Sequence, residues 1–103
     1  MANDIGRGTT PTHKFEVDVD LTQAEVIYIT YKQGSKVIVE KDISSITVTA
    51  DMLEVELSQE DTLAFKQTKE VEMQIRARFL DGHAIKSNII VTDVSKVLKE
   101  GVI

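Results

Sequence analysis

Apolar and polar residues alternate with a period of two over much of the chain, and that pattern predicts strands. From His13, Phe15, Val17 and Val19 alternate with Lys14, Glu16 and Asp18, which reads as a half-buried strand. Residues 25–32, EVIYITYK, carry apolar side chains on both faces: Ile27, Ile29 and Tyr31 on one, Val26, Tyr28 and Thr30 on the other. Such a run predicts a central strand. Gln33-Gly34-Ser35 breaks it, and residues 36–41 (KVIVEK) return as the second arm of a hairpin. Residues 45–49 (SITVT) and 52–57 (MLEVEL) are two further short strands joined through Ala50-Asp51.

The longest alternation is Val71, Met73, Ile75, Ala77 and Phe79, with Glu72, Gln74, Arg76 and Arg78 between them. Asp81-Gly82 then predicts a two-residue type I′ turn, and residues 84–92 (AIKSNIIVT) return as the partner strand. Two segments break the pattern. Thr22 and Glu25 have capping-box spacing and mark either a brief helical turn or a solvated turn. Ser58, with Glu60 and Asp61 behind it, predicts a short helix within residues 58–65. The tail, 93–103, fits a short helix or an edge strand, with Val94, Val97 and Leu98 at helical spacing before Gly101.

About seven short strands with one helical turn predict an all-β fold, an antiparallel Ig-like β-sandwich, with a small barrel as the alternative. The domain is expected over residues 12–103. Residues 1–11, MANDIGRGTTP, are expected as a flexible N-terminal arm that stays free or orders on a neighbouring subunit.

Composition narrows the function classes. At 103 residues the chain holds one modest core. Twelve Lys and Arg against 17 Asp and Glu give a net charge of −5, and the best basic cluster is Arg76 with Arg78, so nucleic acid is not expected as a partner. With no cysteine, thiol chemistry, disulfides and Cys-based metal sites drop out. Met1 to Pro11 lacks the basic and apolar segments of a secretory signal. No apolar stretch approaches the ~20 residues that span a bilayer, so no membrane is expected either.

The sequence offers no catalytic, cofactor-binding or metal residues. His13 and His83 lack zinc spacing, and each reads as a surface histidine at a strand end. Glu54 with Glu56, and Glu16 with Asp18, share exposed faces, where acids serve solvation. Asp18-Val19-Asp20 and Gln59-Glu60-Asp61 lack the spacing of a calcium loop. Gly6-Arg7-Gly8-Thr9-Thr10 lacks the lysine and flanking elements of a phosphate loop. None of the serines, among them Ser35, Ser87 and Ser95, occupies a nucleophile elbow. Tyr28 and Tyr31 point to opposite faces, and aromatics are 5% of the chain, which is sparse for stacking on sugars or bases.

One resemblance adds to this. Thr10-Pro11-Thr12 leading into Phe15, Ile29 through Gly34 (ITYKQG), Leu57 through Leu63 (LSQEDTL) with Phe65, and Val71 through Arg76 (VEMQIR) recur in one order and spacing. So do Asp81-Gly82, Ser87-Asn88-Ile89 and Val97 through Ile103 (VLKEGVI). In these the chain resembles small, uncharacterised phage and prophage virion-module proteins of Gram-positive bacteria, over nearly its whole length beyond residue 9. The resemblance implies a β-sandwich without catalytic motif or cofactor. It also implies assembly in the bacterial cytoplasm into a virion or its tail, with other virion proteins or further copies of the chain as partners. The two-faced strand 25–32 and the apolar Gly101-Val102-Ile103 suit such a structural or adaptor role. The alternative expectation is a monomeric module binding a host-surface carbohydrate.

Overall fold

A computed structural model gives the fold and describes residues 4–103. The fold is mostly β, with ten strands in three sheets among the described residues. Strands β3 (Ala24–Gln33), β4 (Lys36–Asp42) and β7 (Val71–Phe79) form the larger sheet in the order β4-β3-β7, and β8 (Ala84–Lys86) and β9 (Ile90–Thr92) both pair with β7. A second sheet runs β2 (Thr12–Glu16), β6 (Met52–Glu56), β5 (Ile46–Val48). A third joins β1 (Ile5–Gly6) to β10 (Val94–Ser95) in parallel.

The inward faces supply one core. From the larger sheet come Ile27, Ile29, Tyr31, Val71, Met73, Ile75 and Ala77; Phe15, Ile46, Leu53 and Val55 come from the second sheet. The alternation in β7 translates directly, its odd-numbered residues turning inward and its charged ones outward. Strand β3 is central by pairing, with β4 and β7 on its two sides. Only one of its faces is buried, since Tyr28 on the other is exposed among the described residues.

The sole α-helix among the described residues, α1 (Gln59–Leu63), starts where the sequence places it. Ser58 Oγ accepts from the Asp61 amide, and the Asp61 carboxylate accepts from the Ser58 amide, a complete capping box. Arg7 serves the other end of the helix: its guanidinium donates to the carbonyls of Leu63 and Phe65 at 3.0 Å each, as a cation at a helix C-terminus should.

Several expectations are corrected, and two that stood open are decided. Residues 4–11 belong to the folded unit rather than to a flexible arm. Ile5 is wholly buried, its amide donates to Asp93, and the Gly8 amide donates to Thr62 Oγ1; burial of a large apolar side chain plus Arg7's bonds to α1 outweighs the entropy of ordering seven or so residues poorly suited to regular structure. Met1–Asn3, the rest of that arm, lie outside the described residues. The Asp81-Gly82 turn is not type I′, which needs positive φ at both central residues. Only Gly82 has it, at 90°, and the Gly82 amide donates to Phe79 while Phe79 donates to His83. The loop is therefore Leu80-Asp81-Gly82, a three-residue turn closed by a glycine bulge.

Of the two readings open at Thr22, the turn is the one observed: Asp20 accepts from both the Thr22 amide and its hydroxyl. The strand expected over 84–92 is split at Ser87, whose Oγ accepts from the Ile75 amide in place of a carbonyl. That split, together with the pairing of the two terminal segments, raises the strand count above seven. In the tail, Val94–Ser95 form β10 and no helix follows. Val19, expected to face inward, is 46% exposed because the chain bends after Val17.

Candidate functional site: the open edge of strand β2

Strand β2 lies at the edge of its sheet, paired among the described residues with β6 alone. The bonds Leu57 N to Pro11 O and Val17 N to Asp51 O flank the register Thr12↔Glu56 through Glu16↔Met52. Antiparallel pairs alternate between hydrogen-bonded and non-hydrogen-bonded. His13 and Phe15 therefore bond to β6, while the backbone N–H and C=O groups of Thr12, Lys14 and Glu16 point away from it, off the sheet edge.

That edge borders a groove of about 900 Å³. His13, Phe15 and Val17 form one wall; Met73 and Ile75 of β7 form the floor; Ser87 and Ile90 form the opposite wall. Ile90 shares a face with Met73, its cross-strand partner. It turns toward the core yet is 41% exposed, because the groove lies open above it. Lys14, Glu16, Asp18 and Lys86 bring charges of both signs to the rim.

At the inner end of this wall the His13 ring, expected at the surface, is half-buried. Its Nδ1 lies 2.7 Å from the hydroxyl of Tyr31, a fully buried residue of the larger sheet. Burial holds the His13 pKa below its ordinary value, so the ring is neutral and shares one hydrogen with the Tyr31 hydroxyl, the ring's tautomer setting which group donates. Burial first, and the negative charge of Asp61 second, push the Tyr31 pKa above its ordinary value. Asp61 is paired in turn with Lys41 at 2.8 Å. Burial raises its carboxyl pKa, but the Lys41 ammonium and the Ser58 bonds outweigh that and leave it below the usual carboxylate value. These groups satisfy one another and tie β2, β3, β4 and α1 together. A hydroxyl with a raised pKa, sealed in the core, is not poised to attack or to shuttle protons.

The remaining sequence candidates are dispersed. His83 packs edge-on against Phe79 at the far hairpin. Arg7 of the glycine-rich segment is spent on α1 and on Glu100. The Asp20 carboxylate is taken by Thr22. Lys14 is 3.7 Å from Glu54 across the β2–β6 ladder, and Arg78 pairs with Glu25. Among the described residues no three His, Cys, Asp or Glu side chains converge on a point where a metal could bind, and no helix is long and apolar enough to cross a membrane. Sequence reasoning missed the groove, since it depends on which two strands end up as facing edges. The only signal in the chain was the parity that puts His13 and Phe15 on one face and Lys14 and Glu16 on the other. No protein-family model, curated protein or solved structure matches the chain.

Proposed function

We propose that the protein is a non-catalytic structural or adaptor component that works by protein–protein assembly, receiving an extended protein segment along β2. The observation that carries this is the free backbone edge of Thr12, Lys14 and Glu16 beside a groove with an apolar floor. Strand addition uses such a pairing: main-chain bonds supply affinity, and alternate side chains entering the groove supply selectivity. The two larger sheets are read here as the halves of an Ig-like sandwich left open on this side, supported by the single core between them. A phage virion is the setting that the sequence resemblance implies. A sugar site has less support, since Tyr31 and Phe15 are buried and the exposed Tyr28 stands alone on the outer face.

Size-exclusion chromatography with light scattering, on the protein alone and co-expressed with the products of neighbouring genes, tests this. A complex is expected, and it should be lost in Lys14→Pro, which removes an edge N–H while sparing the β2–β6 bonds. A protein monomeric under all these conditions, or a complex indifferent to Lys14→Pro, would overturn the proposal.

A further inference from the structure

Charged residues on an edge strand ordinarily discourage pairing with another strand. On β2 the order of the charges has the opposite effect in one register. Two copies of β2 placed antiparallel about a two-fold axis keep buried and exposed faces aligned only if even-numbered residues oppose even-numbered ones, so the axis must pass through a residue. The free backbone groups belong to Thr12, Lys14 and Glu16, so these must form the hydrogen-bonded pairs. An axis through Phe15 sets Lys14 opposite Glu16 of the second copy and Glu16 opposite its Lys14. An axis through Lys14 or Glu16 puts a like-charged pair at its centre. One through Val17 sets Glu16 against Asp18 twice, and one through His13 sets Lys14 against Thr12 and gains no opposite-charge pair.

Resting on the assembly role above, we infer that the partner at this edge is a second copy of the chain, joined β2 to β2 in antiparallel fashion about a two-fold axis at Phe15. The three-stranded sheet then continues across the axis as β5-β6-β2 and its symmetry mate. Lys14, already beside Glu54 on its own sheet, gains a carboxylate on its other side. Each Phe15 meets its equivalent in the non-hydrogen-bonded central pair, where side chains come closest. Such an interface is isologous and closes at two subunits, so it adds no further exposed edge at β2.

Charge reversal tests the register. The wild-type protein should dimerise reversibly with concentration in sedimentation equilibrium, more weakly as salt is raised. Lys14→Glu and Glu16→Lys should each weaken dimerisation by about tenfold or more, since each turns both opposite-charge pairs into like-charge pairs. The double variant Lys14→Glu/Glu16→Lys should recover it. The two single variants, mixed in equal amounts, should form a mixed dimer. Circular dichroism melts confirm that each variant is folded. A wild-type protein that stays monomeric, or a folded double variant no better than either single one, would overturn the inference. If the wild type is monomeric yet binds a different protein in a way that Lys14→Pro abolishes, the inference falls and the assembly role stands.

Discussion

The Tyr31 hydroxyl meets His13 Nδ1 at 2.7 Å, a side-chain bond that crosses from the larger sheet to the edge strand of the smaller one. The Tyr31 ring packs on Phe65, with centroids 6.0 Å apart. Its hydroxyl is paired with a ring that borders the groove. Tyr31→Phe keeps the ring contacts and removes only the bond, leaving His13 within reach of groove water. A loss of about 1 kcal/mol is expected. Tyr31→Ala opens a cavity between the sheets and should cost about 3–5 kcal/mol. Urea denaturation of the two variants separates the bond from the packing.

The same histidine gives stability a pH dependence. Its folded pKa is held below 6.5 by burial, so on acidification the unfolded chain takes up a proton at this site before the folded chain does. The stability from His13 is full above about pH 6.5 and drains away as pH falls through the lowered folded value. Asp61 acts further down: its folded pKa lies below 3.8, so its share is present above that pH and is lost in stronger acid. His13→Gln keeps a hydrogen-bonding partner for Tyr31 but does not titrate. The urea midpoint of this variant should therefore be flat between about pH 7 and 5, where the wild-type midpoint declines. Equal slopes for the two proteins would show that His13 is not the group responsible.

Helix α1 has five residues, too few to persist on their own, so its ends decide whether it forms. Ser58→Ala removes one half of the capping box and should cost about 1 kcal/mol. At the other end Arg7→Ala removes the donors to Leu63 and Phe65 and the ion pair with Glu100. A cost of about 1–2 kcal/mol is expected. The second variant should also loosen the N-terminal segment, seen as faster hydrogen exchange at the Ile5 and Gly8 amides. Unchanged exchange would mean that the buried Ile5 side chain alone holds the segment in place.

Much of the sheet structure was legible because a period of two has one meaning when a single face is buried. Val71 through Phe79 and Leu53 through Val55 needed no tertiary knowledge, and Ser58 with Asp61 announced α1 through a local bond. Features whose partners lie far along the chain were hidden. Ile5 reads as one apolar residue in a polar arm, and nothing nearby says that Asp93 will receive its amide or that Arg7 will find the end of a helix at Leu63. The Asp81-Gly82 pair suggested the shorter loop, but Phe79 and His83 close the hairpin and leave Leu80 at the tip. Ser87 looked like an ordinary strand residue, and only the loss of a carbonyl partner for Ile75 gives its hydroxyl a role. The groove was unreadable for the same reason: strand edges become neighbours through the order of the sheets, and no residue encodes that order locally.

Neighbouring positions on β7 offer the clearest check on facing. Ile75 lies opposite Ile29 with its side chain in the core, 5% exposed. Ile75→Asp buries an unpaired carboxylate among apolar side chains, and the domain should lose more than about 3 kcal/mol or fail to fold. One residue on, Arg76 faces outward, directly across from Lys86 and beside Tyr28. Two like charges opposed on adjacent strands repel. Arg76→Asp exchanges that repulsion for an attractive pair and should change stability by no more than about 0.5 kcal/mol, in the stabilising direction. Thermal melts of the two variants side by side decide the matter: comparable losses would mean that β7 does not present Ile75 to the core, and the groove floor built on Met73 and Ile75 would fall with it.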